Sequence, residues 1–242
     1  MRAMILAAGL GTRLSPLTDT TPKALIKIRD KTLLEITINH LVKNGFDKII
    51  INVHHFAEQI VKFLDEKNFN ADIAISDESD VLLDTGGGLK KASCFFNDEK
   101  PFLIHNVDVI SNLDLSKLYK FHLNSAVIAT LVIRKRESSR FLMFNSENIL
   151  CGWRNLKSGE TKVMRKDKLL HEFAFSGIHF VNPKIFSFMP EKDIFSLIDL
   201  YLNIANKRIV HGFIDEDSFW LDVGKPENLK IADDAYEKFV IG

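Results

Sequence analysis

Between residues 2 and 133 the hydrophobic pattern changes period repeatedly, from short continuous apolar runs to helical faces and back. Residues 2–6 read as a buried strand that opens directly into a loop-like segment, 7–21. Thr32 and Glu35 have the spacing of a capping box, and Leu34, Ile38, Leu41 and Val42 then share one helical face. Asn44-Gly45 stops that helix. A strand at 48–53 and a helix at 58–65 repeat the unit, followed by strands at 71–75 and 102–105, helices at 88–95 and 114–122, and a β-rich run at 126–133. Strands separated by helices of this length require a mostly parallel sheet covered on both faces, a three-layer α/β fold.

After residue 134 the rhythm changes. Strands are expected at 140–144 and 149–153 around the turn Asn145-Ser146-Glu147, with shorter β segments at 162–165 and 172–181. This stretch reads as a small β-rich insertion beside the main sheet, within one domain spanning 1–242, because no Gly/Ser linker divides the chain. A helix at 193–206 would bury Ile194, Leu197, Ile198 and Tyr201, and 208–213 returns to strand. Pro226 suits the first position of a terminal helix packed through Leu229, Ala232, Ala235, Tyr236 and Phe239.

Charge narrows the partners. Lys plus Arg equals Asp plus Glu at 32 each, which argues against a nucleic-acid-binding face. The apolar start from Met4 to Ala8 is too short to cross a membrane and lacks the form of a signal peptide, so a cytoplasmic protein is expected. Cys94 and Cys151 are too few for a disulfide framework or a zinc cluster, and Cys94 falls in an apolar run that suggests burial. Asp77, Glu78 and Asp80 read as a solvated acidic loop, and the basic stretch around Lys157, Lys162 and Arg165 as a solvated flap.

The most informative chemistry lies in Leu6-Ala7-Ala8-Gly9-Leu10-Gly11-Thr12-Arg13 and in Thr21-Pro22-Lys23. Leu14 stands where a dinucleotide-binding fingerprint needs its third glycine, and the Gly-Lys-Ser/Thr of a P-loop is absent. The parts still suit phosphate: small residues admit oxygens to backbone amides, Arg13 offers a fork, and Lys23 a point charge. A structural turn is the alternative. Asp108 and Asp222 each follow a strand; read alone, they serve as turn caps before Val109 and Gly224 somewhat more naturally than as metal ligands.

Those segments, with Pro16-Leu17-Thr18, Asp84-Thr85-Gly86-Gly87-Gly88, Asn106-Val107-Asp108, Phe175-Ser176-Gly177-Ile178 and Trp220-Leu221-Asp222-Val223-Gly224, resemble the sugar-1-phosphate nucleotidyltransferases in order and along nearly the whole chain. The resemblance implies a Rossmann-like nucleotidyltransferase fold, with residues 1–133 holding an NTP and 134–242 a sugar 1-phosphate. Leu6, Ala7, Ala8, Gly9, Gly11, Thr12 and Arg13 would surround the nucleotide, with Thr85, Gly86, Gly87 and Gly88 forming an opposing loop against the base. Arg13, Lys23, Asp108 and Asp222 would be catalytic, the two aspartates binding Mg²⁺. Asn106, Gly152, Glu172, Gly177 and Trp220 would meet the sugar.

Two departures stand out: Val107 replaces a glycine common in relatives, and the acidic-basic-proline sugar motif is not evident between Trp153 and Arg165. The resemblance implies GTP with mannose 1-phosphate or UTP with N-acetylmuramate 1-phosphate as leading pairs. A phosphocholine cytidylyltransferase, and a non-catalytic nucleotide-sugar sensor or scaffold, are the alternatives. A small homo-oligomer is compatible with the sequence.

Overall fold

The computed structural model describes residues 1–240, Val240 by its backbone alone. Its strands are β1 (Arg2–Leu6), β2 (Lys27–Ile28), β3 (Lys31–Thr32), β4 (Lys48–Val53), β5 (Asp72–Asp77), β6 (Phe102–Asn106) and β7 (Val109–Ser111). β8 (Ala129–Arg134), β9 (Arg140–Phe144), β10 (Leu150–Asn155), β11 (Thr161–Val163), β12 (His171–Val181), β13 (Val210–Ile214) and β14 (Trp220–Asp222) follow. The helices are α1 (Leu33–Lys43), α2 (Ala57–Asp65), α3 (Asp84–Lys91), α4 (Leu115–Ser125), α5 (Leu197–Ala205), α6 (Pro226–Asp234) and α7 (Glu237–Val240).

The main sheet runs β11-β10-β9-β12-β6-β1-β4-β5, with β8 and β13 joined to it through β12. β6, β1, β4 and β5 are parallel, whereas β12 lies antiparallel to β6, β8 and β9. Both faces are apolar because alternate residues serve opposite layers. Ala3 and Ile5 of β1 and Leu103 of β6 join the core under α1, α2 and α4; Met4, Phe102 and Ile104 join the core under α3 and α5. The C-terminal helices cover a third, smaller core with Ile28, Leu33 and Ile110.

Local signals account for several boundaries. Thr32 caps α1 by accepting the Glu35 amide at 3.1 Å, while the Glu35 carboxylate takes Lys67 Nζ at 2.7 Å. Pro226 opens α6 as its spacing predicts. Tertiary packing moves others. The helix expected at 88–95 begins at Asp84 instead, placing all three glycines inside it. Ser196 caps α5, so the helix expected from 193 starts at Leu197 and Ile194 stays outside, 54% exposed. Cys94, expected to be buried, is exposed on a short 3₁₀ turn; Cys151 is buried.

From β1 the chain builds outward through β4 and β5, then returns to place β6 on the other side of β1. That reversal opens a crevice beyond the carboxyl ends of β1 and β6, where parallel sheets bind ligands.

Candidate active site

Four charged residues meet at this crevice. Lys23, on a 3₁₀ turn behind Pro22, forms an ion pair with Asp108, and each side chain is nearly nine-tenths buried. Arg13 reaches both carboxylates: one guanidinium nitrogen is 3.9 Å from Asp108 Oδ2, the other 3.9 Å from Asp222 Oδ2. Gly11 shapes the turn that presents Arg13. Its φ of 70° suits glycine, and an added Cβ would lie 2.8 Å from Thr18 Cγ2. Asp222 accepts the Gly224 amide at 2.8 Å, so the capping role read from sequence coexists with its place in the cluster.

Two adjoining chambers share Leu6, Asp84, Thr85 and Asn106 in their linings. The first, about 420 Å³, lies over Ala7, Ala8 and Gly9 and reaches Lys23 and Asp108. Its far wall rests on a buried bridge: Asn52 accepts the Ala7 amide at 2.7 Å and donates to Glu78 Oε1 at 2.7 Å. The second, about 460 Å³, extends under the β-rich insertion to Arg140, Trp153, Lys162 and His179. His179 is 1% exposed, neither ring nitrogen has a hydrogen-bond partner, and burial pushes its pKa down to about 3. A register slip in β12 between Phe175 and His179, around Gly177, aims the following residues differently from those before it.

Residues 2–238 match the family model described as Nucleotidyl transferase. The chain belongs to the nucleotidyl transferase family. An N-acetylmuramate alpha-1-phosphate uridylyltransferase of Caulobacter vibrioides is 32% identical over 234 residues, covering 93% of this chain and 92% of that protein. A UTP–glucose-1-phosphate uridylyltransferase of Synechocystis is 31% identical over 242 residues, covering 93% of this chain; the match spans only 60% of that relative's length. The fold is shared with HddC from Yersinia pseudotuberculosis (TM-score 0.78, 22% identity, 97% of this chain and 99% of that one). It is shared also with the inositol-1-phosphate CTP transferase from T. maritima (TM-score 0.80, 17% identity, 100% and 96%).

Within this nucleotidyl transferase the sequence-predicted residues separate into groups. Leu6, Ala7, Ala8, Gly9, Lys23, Thr85, Asn106 and Asp108 line the first chamber, while Gly11, Thr12, Arg13 and Asp222 are not part of the lining, Arg13 joining Asp222 to the lining residue Asp108. Gly86, Gly87 and Gly88 are buried in α3 and not in a loop. Gly152 faces neighbouring strands, where a Cβ would lie 2.3 Å from the Lys162 carbonyl oxygen. Glu172 pairs with Arg154 at 2.7 Å. Trp220 donates to the Ser176 carbonyl at 2.9 Å, with Arg136 4.5 Å over its ring. These last three lie outside both chambers.

Sequence reasoning missed Asn52, Glu78, His179 and Ile194. Glu78, read as part of a solvated loop, is 1% exposed because Asn52 and the Leu83 amide hold its two oxygens. Lys162, read as part of a flap, faces the second chamber and lies 5.4 Å from the Trp153 ring.

No group of three or more His, Cys, Asp or Glu side chains able to hold a metal occurs among the described residues. The two hard carboxylates converging on Arg13 nevertheless fit a divalent ion of the magnesium type, which takes few protein ligands and completes its shell with water and substrate phosphate.

Proposed function

We propose that the chain transfers the nucleotidyl group of an NTP to a sugar 1-phosphate, forming an NDP-sugar and releasing pyrophosphate. One observation carries this: the Lys23–Asp108 pair lines a chamber floored by Ala7-Ala8-Gly9, and that chamber adjoins a second one under the insertion at Asn106. The NTP occupies the first and the sugar 1-phosphate the second, so their reacting phosphates meet beside that pair.

An oxygen of the sugar phosphate attacks the α-phosphorus, and the bond to the bridging oxygen of pyrophosphate breaks. The attacking oxygen is already anionic at neutral pH, so no protein base is needed. The protein's task is alignment and charge compensation. Lys23 stabilises charge on the α-phosphoryl oxygens, while Arg13 and the amides of Gly9, Gly11 and Thr12 restrain the departing pyrophosphate. Asn106, at the junction of the chambers, orients the incoming phosphate or sugar. Asp108 and Asp222 would hold Mg²⁺, which when bound offsets the repulsion between phosphates.

UTP with N-acetylmuramate 1-phosphate is the first pair to try, because the Caulobacter vibrioides uridylyltransferase aligns over nearly its whole length. GTP with mannose 1-phosphate is the second. A matrix of NTPs and sugar 1-phosphates, scored by pyrophosphate release, tests the reading. Binding of both substrate classes without turnover would leave a sensor and overturn the enzyme.

A further inference from the structure

Three successive buried glycines in the first turns of α3 run against helix propensity, and the structure shows what they accommodate. The amides of Gly86 and Gly87 both donate to the Phe195 carbonyl, at 2.8 and 3.3 Å. A Cβ on Gly86 would lie 2.4 Å from the Phe195 ring, and one on Gly87 only 1.9 Å from the Asp193 carbonyl oxygen. Lys90 extends the same contact to the carbonyls of Glu191 and Lys192, at 2.6 and 3.3 Å, and to the Asp193 carboxylate at 3.0 Å. Thr85 accepts the Leu197 amide at 3.0 Å. A segment from the second half of the chain is therefore seated along α3, closer than any side chain on Gly86 or Gly87 would permit.

That seat presents Ile194. It is one of the few large apolar residues left more than half exposed, and it lines the first chamber with Leu6, Ala7, Ala8 and Leu82. An apolar side chain exposed inside a chamber that also carries Lys23 suits a ligand with a flat apolar part and an anionic part.

We propose that Ile194 packs against the nucleobase of the bound nucleotide, and that Gly86 and Gly87 are positioning residues for it rather than nucleotide contacts. This rests on the assignment of the first chamber to the NTP. An aliphatic wall has no donor or acceptor pattern, so it strengthens binding of every base without choosing among them.

Calorimetric titration of the full chain with each NTP and with inorganic tripolyphosphate separates the possibilities. Ile194→Ser should weaken NTP binding about tenfold, since it withdraws a branched apolar side chain from the contact. Tripolyphosphate affinity should stay within twofold, and the order of preference among the bases should not change. Gly87→Ala should weaken NTP binding to a similar degree, and the double variant should lose no more than either single one, because both remove one contact. If Gly87→Ala does not fold, Ile194→Ser decides alone, being an exposed substitution. Unaltered NTP affinity in Ile194→Ser overturns the proposal, as does an equal loss for tripolyphosphate. A wild-type chain that binds tripolyphosphate but no NTP better overturns the nucleotide chamber itself, and the proposal with it.

Discussion

Asp108 and Asp222, 114 positions apart in sequence, are held side by side by one short antiparallel pairing. β7 starts at Val109, the residue after Asp108, and β14 ends at Asp222 directly opposite Val109. The Val223 amide closes the arrangement by donating to the Asp108 carbonyl at 2.8 Å. Backbone bonds thus fix the positions of both residues, and their carboxylates meet the cations of Lys23 and Arg13. Asp222→Asn keeps this ladder and removes one charge. It should lower kcat by about 10²-fold or more while the circular dichroism spectrum stays unchanged, because the lost group acts on charge rather than on the fold.

Lys23 makes the complementary case. It is largely buried beside Asp108 and lines the chamber assigned to the NTP. Lys23→Ala should reduce turnover by about 10²–10³-fold, the range typical of removing one preorganised charge-stabilising donor. Single-turnover pyrophosphate release is the appropriate measurement, and unchanged catalytic efficiency would remove Lys23 from the chemistry.

Metal removal should separate activity from stability. Among the described residues two carboxylates converge there, short of a closed metal cluster, and Arg13 and Lys23 already compensate them. Chelation should therefore abolish pyrophosphate release, with recovery on adding Mg²⁺, yet leave the melting temperature almost unaltered at constant ionic strength. A closed structural site would instead couple metal to folding. Differential scanning calorimetry with and without chelator checks the second half.

His179 should act on one substrate only. Its ring is pinned edge-on to Tyr201, with centroids 5.5 Å apart; the residue lines the second chamber, and its two nitrogens are buried without hydrogen-bond partners. Buried and neutral, it can donate one hydrogen bond and accept another. His179→Phe should raise KM for the sugar 1-phosphate about tenfold and leave KM for the NTP within twofold, with His179→Asn recovering part of the loss. Steady-state kinetics with each substrate varied in turn would show the split.

The layer order was legible because it is written locally: continuous apolar strands, helical faces, Thr32 as a cap and Pro226 as a helix opener. The motifs singled out Lys23, Asp108 and Asp222 as candidates, and folding brings them together with Arg13, which reaches both acids. Most of what failed depended on contacts distant in sequence. The resemblance implied a loop at Gly86-Gly87-Gly88, but close packing against the 193–195 backbone holds these glycines in a helix despite their low propensity for it. Ile194 continued a helical apolar period that Ser196 in fact interrupts. Glu78 looked solvated because its partner Asn52 lies 26 positions away.

Four histidines make stability depend on pH. Burial is the largest influence on each, pushing His40, His105 and His122 down to about 4 and His179 to about 3. The cause is physical: imidazolium would lose its hydration on burial, and the His122 ring is held by the Thr130 hydroxyl, 2.9 Å from Nδ1, with no charged partner among the described residues. In the unfolded chain these rings take up protons near pH 6.5. Above that value both states are neutral and the histidines contribute their full stability. As pH falls below it the unfolded state binds protons that the folded state refuses, so stability declines continuously towards pH 3–4. By pH 5 the loss is of order 2 kcal/mol for each fully sequestered ring. Urea denaturation should show a clearly lower midpoint at pH 5 than at pH 7.5. Replacing His122 with Gln, which cannot titrate, should narrow that difference, and an unchanged gap would locate the acid sensitivity elsewhere.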